Sequence, residues 1–302
     1  MTTPTNARSR DTNGHGATSI WQLVKERRTR DALYHDAGYW DARASARAGL
    51  ARSIWPSNTF NALWDERQRA LLTRVLGDLR GRRVVDVGCG TGRMSRFFGE
   101  RGAEEVVGID FSPSTIDAAR EETPAAPEGR VSRNVRFTVG DVVGGLESAL
   151  HGAFDDAIVL GCLSVACRDL SSLERAMKNV AGLVRPGGRV LILEPIHRSP
   201  LLRRVLDLGL EDWIGVANRA GLQLLSGDRM GFVPVRLVLS VRDLPRALVA
   251  PFFHAGEKLL DRFPYLAPLS DYKLLLFSHA DASAPMRAGP DRAAAARREG
   301  AR

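Results

Sequence analysis

Three glycines lie within five positions of the stretch VVDVGCGTGRM, which covers residues 84–94. Gly88, Gly90 and Gly92 follow a short β-branched run, at a point where a strand would give way to a helix. Without side chains there, backbone N–H groups at the start of a helix can approach a polar or anionic ligand closely. A tight turn would explain the glycines equally well. The surrounding elements decide between these two interpretations.

Polar or small residues follow the later apolar runs in the same way. Asp110 ends VVGID, Asp141 follows VRFTVG, Gly161 follows DAIVL, and His197 lies three residues beyond RVLILE. Helical patterns separate these runs, so the strands are expected to pair in parallel through right-handed crossovers. The carboxyl ends of parallel strands share one edge of the sheet, where such folds bind their ligands. We therefore expect these residues to gather at one edge.

The same alternation predicts the fold class. Five strands separated by helices, with two more strand-like runs near residues 222 and 272, predict an α/β fold. The sheet is expected to be doubly wound, seven-stranded and mostly parallel, with helices on both faces. The predicted segments are a disordered tail at 1–18, aromatic-rich helices at 19–65, the main domain at 66–280 with an apolar insert at 232–271, and a disordered tail at 281–302.

Composition excludes several classes of protein. Apolar residues make up 44% of the chain, but no run approaches the roughly 18 that a membrane-spanning helix needs. The polar N-terminus lacks the apolar segment of a secretion signal, so a cytoplasmic location is expected. Most of the net charge of +8 comes from residues 1–35 and 280–302, which argues against a nucleic-acid partner. Three cysteines without C-x-x-C spacing and scattered histidines predict neither a disulfide framework nor a metal site.

Four segments, in the same order, resemble the motifs of the class I S-adenosylmethionine-dependent methyltransferases. DVGCGTG resembles their first motif, and Arg93 stands where the G-x-G-x-x-G of a dinucleotide fold needs its third glycine. VVGIDFS resembles the second motif, FTVGDVV the adenine-binding segment, and LVRPGGRVLILEP the turn into the fifth strand. The resemblance covers about residues 66–222.

The resemblance implies S-adenosylmethionine as the cofactor and assigns residues to it. Asp110, followed by Phe111, would accept the ribose hydroxyls, while Asp141 and the Val142 backbone would bind the adenine ring. Asp86 would bind loop backbone or support the methionyl amino group. The residues expected to contact the cofactor are Asp86, Gly88, Gly90, Gly92, Asp110, Phe111, Asp141, Val142 and Gly161.

A candidate general base and a candidate substrate-binding segment complete the predicted site. His197, in the sequence EPIH, follows the fifth strand, and a histidine titrates in the useful pH range. A histidine that only bonds its own loop, and a reaction without a base, remain alternatives. Glu194 would orient His197 or cap the next helix. Residues 19–65 resemble the helical lid of small-molecule methyltransferases, in which Tyr39 and Trp40 would contact the substrate.

The predicted function is methyl transfer from S-adenosylmethionine to a small, apolar natural-product or lipid-like metabolite. LGCLSV follows the fourth strand, in place of the Asn/Asp-Pro-Pro-aromatic pattern of enzymes that methylate nucleobase amines. Three alternatives stay open: use of the cofactor as a scaffold for a non-methylating reaction such as cyclisation, a nicotinamide-dependent oxidoreductase, and a non-catalytic subunit.

The insert at 232–271 has three candidate roles. It is expected first to cover the acceptor pocket, with a homodimer interface or peripheral membrane contact as alternatives. Pro245, Pro251 and Pro264 predict that it is broken into short pieces, which argues against the membrane surface.

Overall fold

The computed structural model describes residues 38, 55–123, 134–199, 202 and 205–279. They fall into two compact units. The smaller contains residues 38, 55–68 and 231–270, and the larger contains the rest. Most of the predicted lid, including Tyr39 and Trp40, lies outside the described residues, as do both predicted tails.

A single seven-stranded sheet runs through the described chain. Its strands are β1 Arg83–Val87, β2 Glu105–Asp110, β3 Val135–Val139, β4 Phe154–Leu160, β5 Val184–Glu194, β6 Leu222–Phe232 and β7 Ser270–His279. They lie in the order β3-β2-β1-β4-β5-β7-β6. The first five strands pair in parallel, and β7 runs antiparallel to β5. The predicted mostly parallel α/β sheet is confirmed.

The helices follow the expected alternation. They are α1 Asn58–Leu76, α2 Arg93–Glu100, α3 Pro113–Glu121, α4 Leu163–Ala166, α5 Leu170–Leu183, α6 Leu210–Arg219, α7 Val233–Leu239 and α8 Arg246–Arg262, with 3₁₀ turns at Ser148–Leu150 and Pro264–Leu269. Ser112 begins α3 as its N-cap, since its hydroxyl accepts a hydrogen bond from the Thr115 N–H at 3.1 Å. Asp169 caps α5 in the same way.

The central strands are buried on both faces, as the continuous β-branched runs predict. Val85 and Val87 of β1 pack in one apolar cluster with Val159 of β4. The inward stripe of α5, which includes Leu173 and Met177, belongs to the same cluster. This core holds the central strands at fixed register, and therefore fixes the positions of the residues that follow them.

The strand order places a crevice between β1 and β4. From β1 the chain moves outward through β2 to β3, and from β4 it moves outward in the opposite direction to β5. Right-handed crossovers on either side of this reversal put helices on opposite faces of the sheet. The loops that follow β1 and β4 therefore diverge at their carboxyl ends, which is where such sheets bind ligands.

The smaller unit combines the residues before α1, the start of α1 and the insert. Phe60 packs edge-on against Phe253 with ring centroids 5.5 Å apart, and Trp55 packs against Trp64 at 6.1 Å. Arg67 binds the buried carboxylate of Glu257 at 2.8 Å. The insert was expected to be broken by its prolines, and this expectation is wrong for its second half. Helix α8 continues for 17 residues with Pro251 inside it.

A proline is tolerated there because of where it lies. Pro251 cannot donate to the carbonyl of Ala247, but both residues are exposed, so water can reach that carbonyl. None of the helices that the structure describes is both long and apolar enough to span a lipid bilayer.

Candidate cofactor and acceptor site

The loop after β1 is tied down at the crevice. The N–H groups of Gly88 and Cys89 both donate to the carbonyl of Ile109, at 2.8 and 3.0 Å. Gly88 has φ of +73°, and a Cβ at this position would stand 2.5 Å from the Cys162 sulfur. Only glycine suits such a conformation and such a close approach of the loops after β1 and β4. Packing and backbone conformation therefore explain why glycine occupies position 88.

The second glycine leaves space beside a carboxylate. Gly90 has φ of +55°, and nothing lies within 4 Å of the position where its Cβ would stand. Its N–H donates to Asp110 Oδ2 at 3.0 Å, and the Ser112 N–H donates to Asp110 Oδ1 at 3.1 Å. A carboxylate can accept about four hydrogen bonds, so these two amides do not exhaust it. The arrangement suits a ligand that brings hydroxyl groups to Asp110 along an open stretch of backbone.

Asp86 is a deeply buried carboxylate just before the glycine-rich loop. It lies in β1, is 2% exposed, and accepts a hydrogen bond from the Ser95 hydroxyl at 2.6 Å. Burial raises its pKa to about 6, while the Ser95 bond opposes this shift and the nearby charge of Asp110 adds to it. Asp86 thus joins β1 to the first turn of α2. The Ser95 backbone also hydrogen-bonds to this carboxylate, so Asp86 binds the start of α2 through both a side chain and the backbone.

The loop after β3 is hydrogen-bonded to the end of β2. The Gly140 N–H donates to the carbonyl of Asp110 at 2.9 Å. Asp141 is exposed, and its carboxylate accepts from the Val143 N–H at 2.8 Å. Val142 is buried, and Phe111 is 39% exposed at the tip of β2. The predicted ribose and adenine residues therefore follow neighbouring strands at one edge.

Glu194 has a different task from either of the two predicted for it. Its fully buried carboxylate accepts the N–H groups of Cys162, Leu163 and Ser164 at 2.7, 2.9 and 3.2 Å. It therefore caps α4, which lies earlier in the chain, rather than the next helix, and it forms no described bond to His197. Burial raises the pKa of Glu194 to about 7, against the lowering effect of these bonds. This carboxylate fixes the loop that follows β4.

His197 is held by the start of β7. Its imidazole is 8% exposed, and Nε2 lies 2.8 Å from the backbone carbonyl of Asp271. A carbonyl only accepts, so Nε2 carries the proton and Nδ1 is the acceptor nitrogen of the neutral ring. Asp271 Oδ1 lies 3.6 Å from the same Nε2. The histidine is thus oriented from outside its own loop.

Tyr272, which the sequence analysis did not select, also lies at this edge. Its hydroxyl is 3.4 Å from the position that a Cβ on Gly161 would occupy. Since β7 is antiparallel to β5, its first residues arrive at the same edge as the last residues of the parallel strands. An antiparallel last strand in the predicted topology was the signal that could have found Asp271 and Tyr272.

Three further groups with perturbed pKa values are the thiols of Cys89 and Cys162 and the guanidinium of Arg93. Burial raises the pKa of the Cys89 and Cys162 thiols well above the usual range, so neither is an activated nucleophile. Arg93 is half-buried, and burial lowers the pKa of its guanidinium to about 10. No group of His, Cys, Asp or Glu suited to a metal ion occurs within the described ranges.

The comparisons with known proteins agree with this geometry. Residues 84–188 match a family model described as a methyltransferase domain. The chain is 30% identical, over 191 residues, to a ubiquinone biosynthesis O-methyltransferase of Alkalilimnicola ehrlichii, covering 59% of this chain and 70% of that protein. It is 39% identical, over 99 residues, to a magnesium-protoporphyrin O-methyltransferase of Rhodobacter capsulatus, covering 33% of this chain and only 40% of that protein.

A solved structure shows the same fold. It is the magnesium protoporphyrin IX methyltransferase of Synechocystis PCC 6803 with bound SAH, at a TM-score of 0.53 and 14% identity. The similarity covers 84% of this chain and 100% of that one. With the glycine-rich loop, the carboxylate at the tip of β2 and the open backbone between them, the residues present fit an adenosyl cofactor. The chain therefore belongs to the class I S-adenosylmethionine-dependent methyltransferases, and S-adenosylmethionine is its cofactor.

Proposed function

We propose that this protein transfers the methyl group of S-adenosylmethionine to a small, largely apolar ring compound of the quinone or porphyrin kind. One observation carries the proposal. The Asp110 carboxylate accepts the Gly90 N–H where open backbone follows β1, and His197 after β5 and Tyr272 in β7 lie at the same edge of the sheet. The names of the relatives, which refer to ubiquinone biosynthesis and to magnesium protoporphyrin, support the acceptor class.

The first set of residues would hold the cofactor. Asp110, with Phe111 next to it, would receive the ribose hydroxyls, and Asp141 and the Val142 backbone would receive the adenine ring. Gly88, Gly90 and Gly92 would let the loop approach the methionyl part, with Asp86 fixed behind them by Ser95. When bound, the cofactor supplies a methyl group on a sulfonium, which is an excellent leaving group.

The second set would receive the acceptor and its proton. In this proposal His197 accepts a proton at Nδ1, because Nε2 is already committed to the Asp271 carbonyl. The Asp271 carboxylate, 3.6 Å away, would stabilise the imidazolium that results. Tyr272 would orient the acceptor at Gly161, while Glu194 keeps the intervening loop rigid. Alignment and exclusion of water would supply much of the rate.

The proposal is tested by following both products. The protein is incubated with S-adenosylmethionine carrying a labelled methyl group and a panel of quinols, porphyrins and polar metabolites. We expect label in an apolar acceptor, and S-adenosylhomocysteine in equal amount. Product without S-adenosylhomocysteine would instead favour the use of the cofactor as a scaffold, and label only in polar metabolites would overturn the acceptor class.

The role of His197 has its own test. His197→Ala should lower kcat by about 100-fold or more, as loss of a general base does, with little change in cofactor affinity. His254→Ala is the matched control, since His254 is exposed on α8. A fully active His197→Ala enzyme would remove the base from the mechanism without affecting the assignment of the cofactor.

A further inference from the structure

Helix α8 presents a stripe of exposed apolar side chains. Leu248, Phe252 and Leu259 are 59%, 62% and 40% exposed. At 100° per residue they lie within about 40° of one another around the helix axis. The 3₁₀ turn that follows directly adds Tyr265 at 74% and Leu269 at 39%. Large side chains exposed in such a row are uncommon unless another surface covers them.

A different stripe of α8 packs within the smaller unit. Val249, Phe253, Gly256 and Leu260 recur at helical spacing and are buried. Phe253 contacts Phe60, and Gly256 lies against Phe232. The exposed stripe is therefore not needed to fold the unit.

Two cations border the exposed stripe. Arg262 is exposed and lies next to Leu259, three residues earlier, and the exposed Lys258 lies one turn before Arg262 on the same side of the helix. Neither forms an ion pair with any residue that the structure describes. The nearby Asp261 is bound to Arg67 at 2.7 Å, and Glu66 is bound to Arg246 at 2.9 Å. The edge of the stripe thus carries positive charge, because the neighbouring carboxylates are already paired.

We propose that the exposed stripe of α8 lies on an anionic lipid surface. Apolar side chains on one face and Lys/Arg at its border are the composition of helices that bind in the headgroup region of a bilayer. A tyrosine at the end of the stripe suits the same region, since its ring is apolar and its hydroxyl can hydrogen-bond to water. Positive charge at the border matches anionic headgroups, whereas two identical copies of this surface would place like charges together. The inference goes beyond methyl transfer and does not require it.

The test uses the whole 302-residue chain and vesicles, without cofactor or acceptor. Sedimentation with vesicles of phosphatidylglycerol and phosphatidylcholine is compared with vesicles of phosphatidylcholine alone. We expect binding to the anionic vesicles, weakened by salt, and much weaker binding to the neutral ones. Leu248→Ser with Phe252→Ser should lower the partition coefficient by about tenfold or more. Lys258→Gln and Arg262→Gln should each lower it about fivefold.

Matched controls come from the larger unit. Leu225 is 56% exposed on β6, and Lys178 is exposed on α5. Leu225→Ser and Lys178→Gln therefore make the same types of substitution at exposed positions away from α8. Both should bind vesicles as the unaltered protein does, and all variants should unfold at the same temperature. The proposal is overturned by absence of vesicle binding, by equal loss in the controls, or by a dimer that the Leu248→Ser and Phe252→Ser changes dissociate. Any of these results would leave an observed methyl transfer untouched.

Discussion

The two edges of the parallel sheet use carboxylates in opposite ways. At the amino ends of the strands, carboxylates face arginines. Asp156 is 1% exposed. Its Oδ1 accepts hydrogen bonds from Arg82 Nη2 at 2.9 Å and from Arg189 Nε at 2.6 Å. Partial burial acts to raise the pKa of Asp155, but the Arg83 N–H and the Arg185 guanidinium outweigh it and hold that pKa below its usual value. Charge at this edge is neutralised.

At the carboxyl ends, the buried carboxylates of Asp86 and Glu194 are bound by neutral donors, whereas Asp271 lies beside His197 and Lys273. Asp86 is bound by the hydroxyl and the backbone of Ser95, and Glu194 is bound by three backbone N–H groups. In the part of the chain that the structure describes, neither forms an ion pair with Lys or Arg. Burial therefore raises their pKa values, to about 6 and about 7. Perturbed carboxylates of this kind gather at functional sites, and here they fix the loops that would bind cofactor and acceptor.

The largest effect is expected at the amino edge. Asp156→Ala leaves Arg82 and Arg189, each less than a third exposed, without their shared partner. The free energy of unfolding should fall by about 3–5 kcal/mol, as when one member of a buried ion pair is removed. Denaturant unfolding measures this, and calorimetry should show unchanged cofactor affinity of the folded protein. A loss below about 1 kcal/mol would mean that the amino edge does not depend on this pairing.

At the carboxyl edge, removing a carboxylate should affect binding more than stability. Asp110→Ala should weaken S-adenosylmethionine binding by about 100-fold, or about 3 kcal/mol, because the proposed ribose hydroxyls lose a charged acceptor. Titration calorimetry measures the affinity. Asp117→Ala is the control, since Asp117 is exposed on α3 and pairs only with Arg120 among the described residues. Equal affinity of the two variants would contradict the assignment of Asp110.

The two edges should also differ in how the free energy of unfolding depends on pH, by about 2 kcal/mol. Because the pKa of Glu194 is raised in the folded protein, its stabilising contribution is complete below the usual value near 4.5 and is lost as pH rises through about 7. Glu194→Gln abolishes this dependence, so the variant should gain about 2 kcal/mol relative to the unaltered protein between pH 5 and pH 8. Unfolding at both pH values measures the gain.

Glu105→Gln supplies the matched control for that experiment. Burial acts to raise the pKa of Glu105 at the amino edge, but the Arg136 and Arg83 hydrogen bonds lower it overall. Its titration therefore falls below pH 5, and the cost of Glu105→Gln should stay constant between pH 5 and pH 8. A Glu194→Gln variant with the same constant cost would refute the view that its carboxylate is held without a countercharge.

Much of the carboxyl edge could be predicted from sequence because its elements are local. A β-branched run followed by glycine or aspartate defines both the end of a strand and the residue at its tip. Asp110 and Gly161 therefore lie where the alternation of strands and helices placed them. Parallel strands share an edge, so no knowledge of exact register was required.

Contacts between distant segments could not be predicted in this way. Glu194 caps a helix about 30 residues earlier, and Tyr272 reaches Gly161 from the last strand. Both contacts depend on the register of β5 with its neighbours, which the pattern of residues does not specify. In α8, Pro251 does not interrupt the helix, and Val249, Phe253 and Leu260 recur at helical spacing.

The smallest expected effect concerns the Ser95 hydroxyl, which donates to the buried Asp86 carboxylate. Ser95→Ala removes the hydroxyl bound to Asp86, and the pKa of Asp86 should rise further above 6. A raised folded-state pKa means stability lost with increasing pH, so the variant should lose more than the unaltered protein between pH 5 and pH 8. The expected cost is about 1 kcal/mol at pH 8, and less at pH 5, where Asp86 is mostly protonated.

Ser171→Ala tests the same type of hydrogen bond in water. Ser171 binds Asp169 at 3.3 Å, and both residues are exposed. Unfolding curves for this variant should change little at either pH, because water replaces the lost donor. If Ser95→Ala behaved identically, the Asp86 carboxylate would have to be solvated in the folded protein. The carboxyl edge at β1 would then not differ from the amino edge in the way described, because its carboxylate would not be held away from water.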